Sequence, residues 1–551
     1  MIKAMNRALS ALIFFVFLVG VPASINAQTK TVKTAAPQFG NVDGVTAKQL
    51  KEYLTFIASD ELEGRDTPSL GLDIAAMFIA QHLASWGIKP AGDNGSYFQN
   101  VPLRMNKIET DKSTLEVNGQ SYSYGKDFLA GQTSVNFPAS SVVFAGNGWV
   151  IKSKNIDPYA GIDVRDKVIV TVGGLPKGVT FRDLQSAPKG DVASPQAYAQ
   201  ANGARALLGF PSFNTMANWD ASKWAQSDKG SVSFGTPQNQ STVANITASP
   251  RLISVLFAGE KLNANALFSR GASGDTLESF ELKPTKKVGG TIAVKTQDIH
   301  TQNVVGILEG SDPVLKNEYV AIGAHYDHVG MNPFAAGEDK IWNGADDDGS
   351  GTVSVLSIAE AFAKGGQRPK RSMLFIWHAG EEKGLWGSEY FTSHPTVPIT
   401  SIITELNIDM IGRFQNPGDE NHPVNKELPK PGEIFTIGNS MMSTELGQIA
   451  DEVNNSFLKL NYNPRYADPN DPNQYFYRSD HFNYAKHGVP IIFFMDGTHA
   501  DYHQPSDSVE KINFVQMEKV ARTIMATGWT LANTPKRPTV DKPLPASVTG
   551  N

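Results

Sequence analysis

Tyr319-Val-Ala-Ile-Gly-Ala-His325-Tyr-Asp327-His328 passes within ten residues from an apolar run to a histidine, an aspartate and a second histidine. Ser372-Met-Leu-Phe-Ile-Trp377 does the same, running into His378-Ala-Gly380-Glu381-Glu382-Lys-Gly384. Between them lie Asn343-Gly-Ala-Asp346-Asp347-Asp348-Gly-Ser-Gly351 and a segment of helical spacing over 352–363. Short continuous apolar runs read as buried strands, and strand, loop, helix, strand is the pattern of a parallel sheet. Further strands are expected at 303–308, 402–408 and 490–495, and further helices at 443–457 and 514–531. The expected fold class is α/β, with a mixed, largely parallel central sheet flanked by helices.

Four of these strands end in residues that carry chemistry. Asn407-Ile-Asp409-Met-Ile-Gly412 closes one, and Asp501-Tyr502-His503-Gln-Pro-Ser-Asp507 follows another. Open α/β sheets bind ligands beyond the carboxyl ends of their strands, so these distant segments are expected to converge. Two imidazoles with several carboxylates and no thiolate suit two divalent ions about 3.5–4 Å apart that share a bridging carboxylate. Adjacent Glu381 and Glu382 would be costly to bury as bare anions. A dication beside one removes that cost and leaves the other to handle a proton. Each motif alone has a plainer reading. Asp and Gly in 343–351 favour turns and helix caps, the spacing of an EF-hand loop is absent, and Glu-Glu pairs mostly stand on solvated surface. It is their order on one α/β pattern that points to a site.

The chain has 551 residues, 40% apolar and 19% charged, with 49 Lys and Arg against 55 Asp and Glu for a net charge of −6. That composition excludes collagen-like, disordered and multi-pass membrane classes, and no basic run marks a nucleic-acid partner. There is no cysteine. Disulfides, thiolate nucleophiles, zinc ribbons and iron–sulfur clusters are therefore excluded, and any metal must be held by His, Asp and Glu. Ten of the eleven histidines lie from His300 onward, which directs attention to the second half.

Residues 1–27 read as a secretory signal: Lys3 and Arg7, then an apolar run over 8–21, then small residues at Ala23 and Ala27. The run is short for a membrane span. Secretion, or a bacterial periplasm, is the expected location, with no stable membrane insertion after cleavage. A polar linker occupies 28–45. Leu50, Tyr53, Leu54 and Ile57 then recur at helical spacing, Asp60-Glu-Leu-Glu-Gly-Arg65 breaks the pattern, and a second helix covers about 72–86. From about 110 to 285 short alternating runs punctuated by Gly, Asn, Asp and Pro read as a β-rich module. The organisation expected is a discontinuous domain over 46–135 and 286–534, an insert over 136–285, and a Pro/Lys-rich tail over 535–551.

The five motifs, in this order, resemble the binuclear zinc exopeptidase family of bacterial leucyl-type aminopeptidases, aminopeptidase Y, carboxypeptidase Q and the glutamate carboxypeptidases, over about residues 46–530. The resemblance implies two Zn2+, with Co2+ and Mn2+ able to occupy the same donors. It implies that His325 and Asp409 hold one ion, Glu382 and His503 the other, and that Asp347 bridges them. It implies Glu381 as general base, Asp327 as support for the His325 imidazole, and Tyr502 as a hydrogen-bond partner of the oxyanion. Arg478-Ser-Asp480-His481 is similar to a family segment lining the substrate cleft, which assigns Arg478 and Asp480 to substrate binding. Asp346 and Asp348 depart from the less acidic form of many relatives, and His378 is read as packing or support. The insert, through Asp157-Pro-Tyr-Ala-Gly161 and the run 167–172, resembles a protease-associated domain. The expected function is aminopeptidase action on peptides. A dipeptidase or carboxypeptidase, a glutaminyl cyclase and a catalytically silent receptor-like protein are the alternatives.

Overall fold

The computed structural model describes residues 38–235, 242–272 and 277–544. The expected signal segment, residues 28–37 of the linker and residues 545–551 of the tail lie outside them. The chain from Phe39 onward forms one compact unit. Among the described residues no helix is long and apolar enough to cross a membrane.

The central sheet is built from β1 (Phe98–Ile108), β2 (Val294–Leu308), β3 (Tyr319–His325), β4 (Ser372–His378), β5 (Ile402–Ile408), β6 (Glu433–Ile437) and β7 (Ile491–Met495). Their order is β1-β2-β4-β3-β5-β7-β6. The four neighbours β4, β3, β5 and β7 run parallel. Antiparallel pairs flank them, β1 with β2 and β2 with β4 on one side, β6 with β7 on the other. The sheet is mixed, with a parallel centre where the apolar runs predicted it. β1 was not expected: its polar and apolar residues mix, and its partner in β2 lies about 190 residues away in sequence.

Helices cover one face: α1 (Ala47–Ile57), α2 (Leu70–Ser85), α3 (Gly351–Lys364), α4 (Thr444–Ser456) and α5 (Phe514–Asn533). The side chains of Thr46, Ser69, Ser443 and Asn513 accept a backbone N–H at the starts of α1, α2, α4 and α5, the usual repair for unpaired donors at a helix start. Strand side chains alternate between faces. Ile322, Phe375, Leu406 and Phe494 pack under α1, α3 and α5 with Leu54, Val355 and Met525. Ala321, Leu374 and Ile376 face Phe391 and Tyr484 on the opposite side. Each fully buried Val, Leu, Ile, Phe or Met side chain here contributes about 1.5–3 kcal/mol, which makes the parallel centre a firm platform for whatever its strand ends carry.

A second sheet joins strands Thr114–Val117, Gln120–Ser123, Phe128–Ala130, Val135–Phe144, Val168–Thr171, Ala206–Gly209, Ala244–Ala248 and Lys287–Ile292. It has its own core, including Leu115, Phe144, Val170, Leu208 and Ile246. Its first strands precede residue 136 because the alternation beginning at Thr114 forms a hairpin on this sheet. One strand from this region, Ser231–Phe234, pairs instead with β1 of the central sheet.

Candidate metal centre

The parallel registry sets the site. His325 and His378 are partners at the ends of β3 and β4, and Gly323, Asn407 and Phe493 lie level across β3, β5 and β7. His325 ends its strand, and Asp409 follows Ile408 with its N–H donated to the Phe494 carbonyl at 3.2 Å. Asp347 comes from the turn Ala345–Ser350 that leads into α3, and its peptide bond to Asp348 is cis. Glu381 and Glu382 follow β4, and His503 lies on the loop after β7. Met410 and His503 hold φ of +62° and +52°, left-handed conformations that cost non-glycine residues about 1–3 kcal/mol and gather at functional sites. At Gly344 φ is +58°, and a Cβ there would collide with the Asp347 carbonyl and the His328 ring. Only glycine lets the loop pass so close.

Two groups of donors result, sharing Asp347. In the first, His325 Nε2 stands 3.3 Å from Asp347 Oδ1 and 3.6 Å from Asp409 Oδ1. In the second, His503 Nε2 stands 3.1 Å from Asp347 Oδ2 and 2.9 Å from Glu382 Oε2. His328 belongs to the second group as well, its Nδ1 2.8 Å from Glu382 Oε1 and 3.8 Å from Asp347 Oδ2. His325 Nε2, His503 Nε2, both His328 nitrogens, Asp347 Oδ2 and Glu382 Oε1 are buried yet make no aligned hydrogen bond. Buried polar atoms are normally paired. A cluster of imidazole and carboxylate atoms that converge without pairing suits cations of the zinc type.

The electrostatics agree. Burial works against charge on His503, but Asp347 and Glu382 outweigh it and raise its pKa to about 10. Burial likewise opposes charge on His325, and Asp409 and Glu381 overcome it, leaving that imidazole well above the ordinary histidine range. Positive charge is favoured among these carboxylates. Glu381 itself is pushed well above the ordinary glutamate value, first by burial, with His325 opposing and Glu382, Asp409 and Asp480 adding to the rise. Its Oε2 lies 3.9 Å from His325 Nε2, at the rim of the first donor group.

Supporting contacts fix this set. Asp327 accepts from Thr67 Oγ1 at 2.8 Å and from the Glu381 N–H at 3.1 Å, and its backbone carbonyl lies 3.1 Å from His325 Nδ1. Such partners set the tautomer and orientation of a ligating imidazole. The three consecutive aspartates divide their work. Asp346 Oδ1 accepts from Gly412 N–H at 2.7 Å, and its Oδ2 lies 3.1 Å from His499 Nε2. Asp348 Oδ1 accepts from the N–H groups of Gly351 and Met410. Only the middle carboxylate faces both donor groups. Asp507, at the end of the fifth motif, accepts from the N–H groups of Asp346 and Asp347.

A cleft lined by Asp347, Glu381, Asp409, Tyr475, Arg478 and Tyr502 opens onto the cluster. Arg478 Nη2 donates to Tyr502 Oη at 3.2 Å, and Tyr502 stacks on the His503 ring with centroids 4.0 Å apart. Asp480, expected in this cleft, is instead wholly buried and has neither carboxylate oxygen hydrogen-bonded. The turn from Arg478 into the short helix His481–Lys486 takes it inward. Its pKa is raised to about 7, chiefly by burial. His378 is buried too, with Nε2 3.2 Å from Tyr484 Oη, and belongs to neither donor group.

Arg65 and His328 stand at the site although sequence reading assigned neither of them to it. Arg65 is fully buried, and its guanidinium donates to the carbonyls of Ile57, Tyr326, Asn343 and Gly344. It ties the loop after β3 to the loop before Asp347. The break in the helical pattern at 60–65 was its only sequence signal. His328 stood in the first motif beside two residues whose roles the resemblance supplied.

Residues 303–528 match the model of peptidase family M28. A probable zinc metalloprotease of Pyrenophora teres f. teres is 27% identical over 259 residues, 44% of this chain and 50% of that protein. A probable leucine aminopeptidase of Trichophyton verrucosum is 25% identical over 229 residues, 40% of this chain and 56% of that protein. The chain thus spans about half the length of these curated relatives. The solved aminopeptidase from Aneurinibacillus sp. strain AM-1 superposes with a TM-score of 0.50 at 18% identity, covering 92% of this chain and 100% of that one. The fold is shared along nearly the whole length.

Proposed function

We propose that this chain, whose second half matches peptidase family M28, is a zinc-dependent exopeptidase that removes amino-terminal residues from peptides. The observation that carries the reading is the convergence of His325, Asp347 and Asp409 with Glu382 and His503 about one shared carboxylate, with Glu381 beside them. His325, Asp347 and Asp409 would hold one zinc, and Asp347, Glu382 and His503 a second. When bound, the ions lower the pKa of water and polarise the scissile carbonyl.

The chain's own groups supply the rest. Glu381, with its raised proton affinity, takes a proton from the attacking water and returns it to the leaving amine. General bases work best when their pKa lies near the working pH. Asp327 holds the Glu381 backbone and the His325 ring in one hydrogen-bonded unit. Tyr502 is kept neutral by burial and by the nearby Asp347 and Glu382 carboxylates, so its hydroxyl can donate to the oxyanion of the scissile carbonyl. The acidic rim of Glu381 and Asp409 offers a counter-charge to a free α-amine. Arg478 favours the other polarity, because its guanidinium on the cleft wall could pair with a peptide carboxylate. The deciding experiment incubates a defined peptide mixture with the purified protein and reads by mass spectrometry which end shortens. Loss of amino-terminal residues supports the aminopeptidase, loss of carboxyl-terminal ones the carboxypeptidase, and no metal-dependent shortening defeats both.

The insert is proposed to be a protease-associated domain, and the leader a secretory signal. The parallel strands Val168–Thr171, Ala206–Gly209 and Ala244–Ala248 with the helix Pro195–Ala201 support the first reading.

A further inference from the structure

The two donor groups are unequal. The His325 side has three protein donors, His325, Asp347 and Asp409, whereas the other has four, His328, Asp347, Glu382 and His503, whose donor atoms all lie within 4.8 Å of one another. Glu382 sits between two imidazoles, Oε1 2.8 Å from His328 Nδ1 and Oε2 2.9 Å from His503 Nε2. The His328 and His503 rings stand 5.5 Å apart at 76°, so both can turn a nitrogen toward one point. His328 is fully buried. Its Nδ1 meets the Glu382 carboxylate at 2.8 Å, and its Nε2 has no hydrogen-bond partner, whereas a buried polar atom normally has one. Of the donors, Asp347 and Asp409 line the cleft, whereas His325, His328, Glu382 and His503 do not; His503 is the most exposed of them, at 35% of its side chain.

We infer that His328 is a fourth protein donor to the ion held by Glu382 and His503, which closes that position and leaves the His325–Asp409 position open for water and substrate. Protein sites with four donors are typically structural, and those with three keep a position for chemistry. An ion held by His328, Asp347, Glu382 and His503 would fix Asp347 and the Glu381–Glu382 turn, and one held by His325, Asp347 and Asp409 would supply Lewis acidity beside Glu381. The inference rests on the two-ion reading above, and the tests separate them.

Metal-free protein is loaded with one equivalent of Zn2+ and measured by X-ray absorption. The first ion should carry two imidazoles in the parent and one in His328→Ala. Competition against a chromophoric chelator should resolve two affinities, and His328→Ala should weaken the tighter one by at least about 10–100-fold, the loss seen when supporting contacts of a metal site are removed. A single imidazole on the first ion in the parent, with two equivalents bound at saturation, overturns the assignment of His328 and leaves the two-ion reading standing. Binding that saturates at one equivalent overturns the two-ion reading itself. The parent spectrum decides the question even if the variant does not fold.

Discussion

The backbone N–H of Glu381 donates to Asp327 Oδ1 at 3.1 Å, so the proposed base and the residue supporting His325 are one mechanical unit. The link explains why Glu381 sits at the rim of the donor set rather than in it. Its carboxylate hangs from a backbone fixed through Asp327, while Glu382 turns to the opposite side. Removing the carboxylate of Glu381 should therefore spare the metal. Glu381→Gln is expected to lower kcat by at least about 10²–10⁴-fold, the range for a lost general base, with zinc content unchanged. Turnover and metal analysis on one preparation check this, and near-normal turnover would sink the base assignment.

Asp327 is predicted to act on both neighbours at once. Asp327→Ala leaves the Thr67 hydroxyl and the Glu381 N–H unpaired and frees the His325 loop. Metal affinity is expected to drop by about 10–100-fold, and kcat to fall at saturating zinc as well. Thr67→Val, which removes only one of the two donors, should show a smaller loss in both. Chelator competition followed by steady-state kinetics at saturating zinc separates the two effects.

Arg65 should matter to stability more than to chemistry. Arg65→Met removes the guanidinium from four carbonyls, of which Gly344 keeps the Gly349 N–H as a partner, and each buried group left unpaired costs about 1–3 kcal/mol. Partial rescue by water and loop relaxation brings the expected loss to about 3–5 kcal/mol. Urea unfolding of chelated parent and variant measures it, and a difference below about 1 kcal/mol would contradict this role.

Glu405 predicts a pH effect of definite sign. It is wholly buried on β5, with neither carboxylate oxygen hydrogen-bonded. Burial first, and Asp480 second, raise its pKa well above the ordinary value of 4.5. The native protein keeps a proton there that the unfolded chain gives up near pH 4.5, so the native state binds more protons above that pH. This group's contribution to stability therefore falls as pH rises. Glu405→Gln, neutral at every pH, should lose less stability than the parent between pH 5 and pH 8 in chelated protein. Equal losses in thermal melts at the two pH values would refute it.

Much of the central sheet is legible because β3, β4 and β7 are nearly continuous apolar runs, as strands buried on both faces are, while β5 keeps Ile402, Ile403, Leu406 and Ile408 around Thr404, Glu405 and Asn407. Their ends carry the donor residues, so topology alone brings His325, Glu382, Asp409 and His503 near one another. β1 escapes such reading, since Phe98–Ile108 includes Pro102, Arg104, Asn106 and Lys107 and is made a strand by a partner far along the chain. Asp480 misled for a related reason. Its neighbour Arg478 does line the cleft, but one turn of backbone separates a surface from an interior. His328 shows a different limit: spacing placed it beside His325, and only the packing of the loop against Glu382 reveals what it faces.

The strand Ser231–Phe234 has a consequence for anyone who would trim this protein. It hydrogen-bonds along Leu103–Asn106 of β1, the outermost long strand of the central sheet. Unpaired edges are templates for the association of chains. Excising the second sheet to leave a minimal catalytic unit would strip this cover and offer β1 to its copies. The trimmed protein should precipitate or self-associate, so Ser231–Phe234, supplied by the region that builds the second sheet, guards the central sheet against aggregation.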